Sequence, residues 1–398
     1  MCLKFRIFFL SFIAVSFLHA QDSFEKGIVH DSILVTGAEK ETFALYLPKS
    51  FNENQLSSIV FIFEPAARGA IGIQPFITVS EKYGHILVCS NNSRNGPYNR
   101  NFEIANRLFK YIFSRFSINE SEMYLSGFSG GSRLASAIAS LTDKFAGVVG
   151  CGAGFSYIQE QMPAAQAYSY VGLCGDRDMN FREMQENKDY LKLIKFNSTL
   201  ITYDDEHRWP PQNQILRAFD WLHLQKLKKE TSASDKILSQ YHADYTLFKQ
   251  FMEDQKLLLA SEQSERMLKD YKHLLETDSL SKQHAKLLRS KVYKKQKTAL
   301  SNALKREIKL ADRLRPKLSN DFENPNDVDF DWWKKEFEKL NELIEKDDSD
   351  EIRKMAYRVR FDLFAKIYSR RNSSVYDQNP ELSELINQFL GMLRASSK

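Results

Sequence analysis

The sequence predicts an α/β fold, a mostly parallel sheet with helices on both faces, followed by an all-helical C-terminal part. Three observations carry this reading. Apolar, β-rich runs alternate with helical patterns up to about residue 227. Of the sixteen glycines, fifteen lie before residue 176 and only Gly391 follows, so the chain changes class partway along. From about Lys228 onward it is rich in Lys, Glu, Leu, Gln and Ser, the composition of helices rather than sheets.

At 398 residues the chain exceeds one average domain, and 43% hydrophobic with 27% charged residues leaves enough apolar mass for a sizeable core. Disorder and collagen-like repetition are thereby excluded. The first twenty residues read as an export signal: Lys4 and Arg6 precede an apolar run over 7–18, and His19-Ala20 then meets the polar stretch from Gln21. Cleavage is expected after Ala20, giving an exported protein, periplasmic or secreted. An apolar run this short cannot cross roughly 30 Å of hydrocarbon as a helix, so no stable membrane span is expected. Loss of Lys4 and Arg6 lowers the net charge from +5 to +3, too little for a nucleic-acid footprint. Of the four cysteines, Cys2 leaves with the same segment, and the odd remainder rules out a small disulfide-stapled fold.

Two β-rich runs, 31–36 and 42–47, have no helix between them and are expected to form an antiparallel edge. Strands are expected next over 58–64, 85–90, 122–126, 145–151, 168–174 and 199–203, with helices over 101–116, 132–141 and 182–194 between several of them. Strand, helix, strand, helix is the order that favours parallel pairing. Farther on, helix-spaced apolar positions recur: Leu300, Leu304, Ile308 and Ala311, then Trp333, Phe337, Leu340 and Ile344, then Ile352, Ala356, Val359, Leu363 and Ile367. Breaks near Pro316, Asn324-Pro325 and Asn379-Pro380 divide this part into five to seven helices. The polar stretch 228–235 reads as a linker. Three units are therefore expected: an export signal over 1–20, an α/β domain over 21–228, and a helical domain of unknown role over 229–398 that folds as its own bundle. The Lys-rich stretch 294–297 is interleaved with acids nearby and reads as a solvated helix face.

The chemistry concentrates in the first part. Gly127-Phe128-Ser129-Gly130-Gly131 follows a predicted strand and opens a predicted helix. A serine on such a sharp turn is exposed above the sheet edge, and the glycines let strand and helix pass closely around it. The Gly130 amide, at the new helix's N-terminus, is placed to receive an oxyanion. A hydroxyl needs a base and a group to orient that base. Both follow in chain order, each just past a predicted strand where ligands gather in open parallel sheets: Gly175-Asp176-Arg177-Asp178, then Asp204-Asp205-Glu206-His207-Arg208-Trp209-Pro210-Pro211. Asp178, deeper in its loop, is the expected orienter of His207, with Asp176 the alternative acid. Asp204 and Asp205 are too close to His207 along the chain and read as turn or solvent-facing residues. The remaining histidines show no metal-ligand spacing, and no C-x-x-C pair exists, so neither a metal nor any other cofactor is expected. Cys89, Cys151 and Cys174 fall at predicted strand ends and read as buried free thiols, with a Cys151–Cys174 bridge as the alternative.

Residues 28–227 thus resemble the α/β-hydrolase superfamily, and within it the secreted esterases related to polyhydroxybutyrate depolymerases and feruloyl esterases, which overlap with dienelactone-hydrolase-like proteins. Gly127 to Gly131 resembles that family's nucleophile elbow and Gly175 to Asp178 its acid loop. His207-Arg208-Trp209-Pro210 resembles its His-x-Trp-Pro, the most selective of the three matches. Two features depart from the pattern. The oxyanion loop lacks the usual glycine-rich signature and reads Glu64-Pro65-Ala66-Ala67-Arg68-Gly69, where the Ala66 amide, or that of Ala67, is expected to serve. Glu206 also stands where the family often has glycine. The resemblance implies an α/β-hydrolase fold and an exported serine hydrolase cleaving carboxylic esters, with Ser129 as nucleophile, His207 as base, Asp178 as orienter, and Gly130 and Ala66 as oxyanion donors. Its expected partners are an ester substrate, either a small molecule or one linked to a polysaccharide or polyester, and a protein or polymer for the helical domain. Two other readings stay open: a weak or inactive hydrolase-fold scaffold acting through the helical part, and a serine peptidase.

Overall fold

The structure, a computed structural model, describes residues 24–230, 234–371 and 379–395. The expected export segment, 1–20, lies outside them. The described chain runs β1 (Val29–Leu34), β2 (Thr42–Tyr46), β3 (Ser57–Phe63), α1 (Gly69–Ile73), α2 (Ile77–Tyr83), β4 (Ile86–Ser90), α3 (Tyr98–Arg115), β5 (Ile118–Phe128), α4 (Gly130–Thr142), β6 (Gly147–Cys151), β7 (Ser169–Gly175), α5 (Phe181–Leu193), β8 (Ser198–Tyr203) and α6 (Gln212–Leu227). The eight strands form one sheet in the order β1-β2-β4-β3-β5-β6-β7-β8. β3 to β8 pair in parallel, whereas β1–β2 and β2–β4 are antiparallel. The edge hairpin and the parallel order thus follow the sequence reading. The α1–α2 crossover does not: Gly69, Gly72 and Pro75 depress helix propensity there, and the helices are only five and seven residues long.

Alternation along the strands separates two cores. Ile59, Phe61 and Phe63 of β3 face Leu108 and Ile112 of α3 and Leu134 and Ile138 of α4. Val60 and Ile62 face the other way, onto Phe76, Val79 of α2 and Ile215, Phe219 of α6. The parallel strands are apolar on both faces because helices cover both.

Seven further helices follow among the described residues: α7 (Ser234–Glu253), α8 (Leu257–Tyr271), α9 (Asp278–Arg289), α10 (Lys291–Glu323), α11 (Phe330–Lys346), α12 (Asp350–Arg371) and α13 (Pro380–Ala395). The expected break at Pro316 is absent, and α10 runs 33 residues through it. A proline forfeits one backbone hydrogen bond, but Leu314 and Leu318 on either side are buried against α11 and α12, and that packing carries the helix across. The breaks at Asn324-Pro325 and Asn379-Pro380 fall where expected.

The helical part makes direct contacts with the sheet and its helices. β8 is the outer strand of the sheet, and α8 covers its free edge: the Thr202 amide and hydroxyl donate to Glu262 at 3.0 and 2.8 Å, while Arg266 and Lys269 donate to the Leu200 and Ser198 carbonyls at 3.2 and 3.0 Å. The Trp221 indole of α6 donates to the buried Asp270 at 2.7 Å. Leu300 and Leu304 of α10 pack on Phe181 and Met184 of α5. No helix among the described residues is long and apolar enough to cross a membrane.

Candidate active site

Ser129 links β5 to α4 with φ 53° and ψ −120°, a conformation that L-residues rarely adopt. Its amide donates to the Cys151 carbonyl at 2.8 Å, which ties the turn to β6. The flanking glycines are sterically required. A Cβ on Gly127 would stand 2.3 Å from the Gly131 carbonyl, and one on Gly131 would stand 2.0 Å from the Phe63 oxygen.

The structure brings Ser129, His207 and Asp178 together from the C-terminal ends of three strands. Asp178 is 1% exposed, and as a carboxylate it can only accept, so His207 Nδ1–H donates to its Oδ2 at 2.8 Å. This leaves Nε2 with its lone pair toward the Ser129 hydroxyl, which donates to it at 3.1 Å. The other Asp178 oxygen accepts the Asn180 amide at 2.8 Å, so both carboxylate oxygens are fixed. The Phe128 ring, 4.6 Å from the His207 ring by centroids, covers the imidazole on one side.

Asp176, the alternative acid, points elsewhere. Its Oδ2 takes Lys354 of α12 at 2.9 Å. Burial raises its pKa above the ordinary carboxylate range, with the lysine opposing that shift. Asp204 pairs with Arg177 at 2.5 Å, and the buried Asp205 accepts the Glu206 amide at 2.9 Å, so both serve the loop. Cys89, Cys151 and Cys174 are buried free thiols whose pKa values burial pushes up. Of the other histidines, His85 is buried against Ser58, His223, His242 and His284 lie on α6, α7 and α9, and His273 is in the turn after α8.

The oxyanion loop differs from expectation. The Ala66 amide is occupied, donating to Glu64 Oε2 at 2.7 Å, and the Ala67 amide donates to the Glu64 carbonyl at 3.2 Å. The buried Glu64 side chain turns back over its own loop and pairs with Arg68 at 2.5 Å, consuming the amides that the sequence leaves open. Gly130 is the first residue of α4, where an amide has no intrahelical acceptor. Beside it lies a residue the sequence did not single out. The Asn95 carboxamide packs so closely on Gly130 that a Cβ there would stand 1.8 Å from Asn95 Oδ1.

The helical part contributes as well. Lys354, Tyr357, Arg358 and Phe361 share one face of α12 at spacings of three and four. Lys354 holds the Asp176 side chain, and Arg358 donates to the Asp176 carbonyl at 2.7 Å. The Arg358 side chain is fully buried and also pairs with Glu307 of α10 at 2.6 Å. Tyr357 donates to Glu206, and burial together with that carboxylate pushes its phenol up to about 12. The Phe361 ring lies 5.7 Å from the His207 ring. One helix face thereby grips both the acid loop and the histidine loop. Between α12 and the strand ends opens a cleft of about 1680 Å³ with Ser129 and His207 in its wall.

The strand order and the strained serine turn between β5 and α4 define an α/β-hydrolase fold over β1 to α6, extended by a C-terminal helical region. Solved structures similar to the chain over about half its length include S-formylglutathione hydrolase from Staphylococcus aureus, at 16% identity over 49% of this chain and 95% of that one, TM-score 0.42. They also include the feruloyl esterase module from Clostridium thermocellum, at 13% identity over 48% and 86%, TM-score 0.41. A third is a ferulic acid esterase from Anaeromyces mucronatus, at 15% identity over 50% and 91%, TM-score 0.39. No protein-family model and no curated protein matches the chain.

Proposed function

We propose that the protein is a serine hydrolase that cleaves carboxylic esters through an acyl-enzyme. The observation that carries this reading is the continuous chain from the Ser129 hydroxyl through His207 to the buried Asp178, at 3.1 and 2.8 Å. Ser129 Oγ attacks the ester carbonyl while its proton passes to His207 Nε2. Asp178 holds the imidazole in the tautomer that can accept and stabilises the imidazolium that results. The negative charge on the former carbonyl oxygen is received by the Gly130 amide at the helix N-terminus. Asn95 supplies the second donor: a half-turn of its carboxamide presents Nδ2 where Oδ1 now lies. His207 then returns the proton to the departing alcohol, and water repeats the sequence on the acyl-enzyme. The helical part is a working part of this unit, since α12 holds both loops that carry the acid and the base.

The test is covalent labelling with a neutral fluorophosphonate together with hydrolysis of a simple aryl acetate. Wild type is expected to label once per chain and to turn over. Ser129→Ala should lose the label and at least about a thousandfold in kcat, with thermal unfolding close to wild type. A label that persists in Ser129→Ala would remove the serine from its assigned role.

A further inference from the structure

The chain as a whole carries a net charge of +5, and its distribution is uneven. Eight arginine and lysine side chains line the cleft against four carboxylates. Each carboxylate already has its own arginine: Glu64 pairs with Arg68 at 2.5 Å, Glu183 with Arg133 at 2.6 Å, Glu186 with Arg182 at 2.6 Å, and Asp362 with Arg315 at 2.8 Å. The surplus is Arg94, Arg100, Lys366 and Arg371. Lys366 only shares Asp362, at 4.0 Å, and the three arginines have no carboxylate partner among the described residues. Four cations in excess of the carboxylates therefore line one cleft.

Its arrangement is also informative. Arg94 and Arg100 lie on the hydrolase side, in the β4–α3 connection and the first turn of α3. Arg94 precedes the Asn95 that packs on Gly130 and lines the same cleft as Ser129. Lys366 and Arg371 lie on the facing wall, in the last turns of α12. A cleft of about 1680 Å³ exceeds the roughly 300–1,000 Å³ of a site for one small molecule, so an extended ligand fits between the walls. Cations on both walls of a concave, low-dielectric site concentrate an anion there, and arginine matches carboxylate and phosphate oxygens two at a time.

We propose that this cleft binds an extended polyanion and that the ester cleaved at Ser129 is carried on such a chain. The substrate class is thus an acylated oligomer bearing repeated carboxylate or phosphate groups. The ester half of this statement rests on the reading of Ser129 as the nucleophile; the binding half does not.

The experiment follows fluorophosphonate labelling of the full-length protein in the presence of hexagalacturonate, tripolyphosphate or the neutral maltohexaose, with a parallel calorimetric titration of the same three probes. At low salt the anions should slow labelling by about tenfold or more, maltohexaose should leave it unchanged, and about 0.5 M sodium chloride should remove most of the protection. The double variant Arg94→Gln/Arg371→Gln should bind the anions about tenfold more weakly. Tighter binding of hexagalacturonate assigns the carboxylate, and tighter binding of tripolyphosphate the phosphate. If Ser129 labels but the titration detects neither anion, or maltohexaose binds as well as they do, the polyanion proposal fails and the hydrolase reading stands. If the anions bind but Ser129 never labels, the hydrolase reading fails and the polyanion site remains.

Discussion

At Asn95 a single carboxamide packs on Gly130, and in the proposed mechanism it helps to hold the developing charge. The Ala66 and Ala67 amides are turned onto Glu64, so the proposed second donor comes from the β4–α3 connection. Asn95→Ala should therefore lower kcat by about 10²–10³ with little change in KM, because the bond it removes forms only in the transition state. Steady-state kinetics on an aryl acetate check this, and an unchanged kcat would return the donor role to the backbone. A second residue sets a pH dependence unrelated to catalysis. His85 is buried on Ser58, and burial, assisted by the charges of His223 and Lys226, lowers its pKa from 6.5 to about 3. Below about pH 6.5 the unfolded chain binds a proton that the folded protein refuses. The stability contributed by neutral His85 is thus complete above that pH and is lost as pH falls toward 3. The Tm of wild type should drop more steeply between about pH 7 and 4 than that of His85→Gln, by calorimetry at matched ionic strength. Parallel Tm profiles would mean that His85 ionises alike in both states.

Element by element, the sequence disclosed what local chemistry determines and hid what depends on a distant partner. That Ser129, Asp178 and His207 come together was legible because each candidate needs a strand before it and a particular residue type after it, and those signals lie within a few positions of one another. Ala66 was misjudged because sequence does not show a glutamate side chain folding back onto its own loop. Asn95 left no signal, since it matters only through its contact with Gly130. The α12 brace was hidden for the same reason: its spacing identifies a helix face but not the loops, 151 and 182 residues upstream, that the face grips. That brace is testable without confusing it with stability. Arg358→Met alone strands the buried Glu307 carboxylate and should cost about 3–5 kcal/mol, whereas Arg358→Met/Glu307→Leu replaces the pair with apolar contact. The double variant should melt near wild type yet lose roughly tenfold in kcat, because the Asp176 carbonyl loses its anchor two residues from Asp178. A kcat equal to wild type in a folded double variant would make α12 a wall and nothing more.

Over the whole molecule, the break in composition near Lys228 is crossed by contacts between the sheet and the helices that follow. The sheet's outer strand has its polar edge satisfied by Glu262, Arg266 and Lys269, and Trp221 has its indole satisfied by Asp270. Truncation after residue 228 uncovers that edge and leaves Leu224 and Leu227 without the helices that bury them. The truncated protein should accumulate as aggregate or show a much lowered Tm, whereas the division read from sequence requires a soluble, label-competent fragment; expression yield and fluorophosphonate labelling distinguish the two. The same connection has a consequence in time. The Thr202 contact lies 60 residues ahead of its partner Glu262, and Glu206 lies 151 residues ahead of Tyr357. At about 5–20 residues per second, a growing chain waits on the order of ten seconds for its outer strand to be covered and up to about thirty for its histidine loop to be gripped. Ser129 and its glycines are made early, but the face that braces the two loops exists only once α12 has been made, so the order of synthesis sets when the candidate site can be completed.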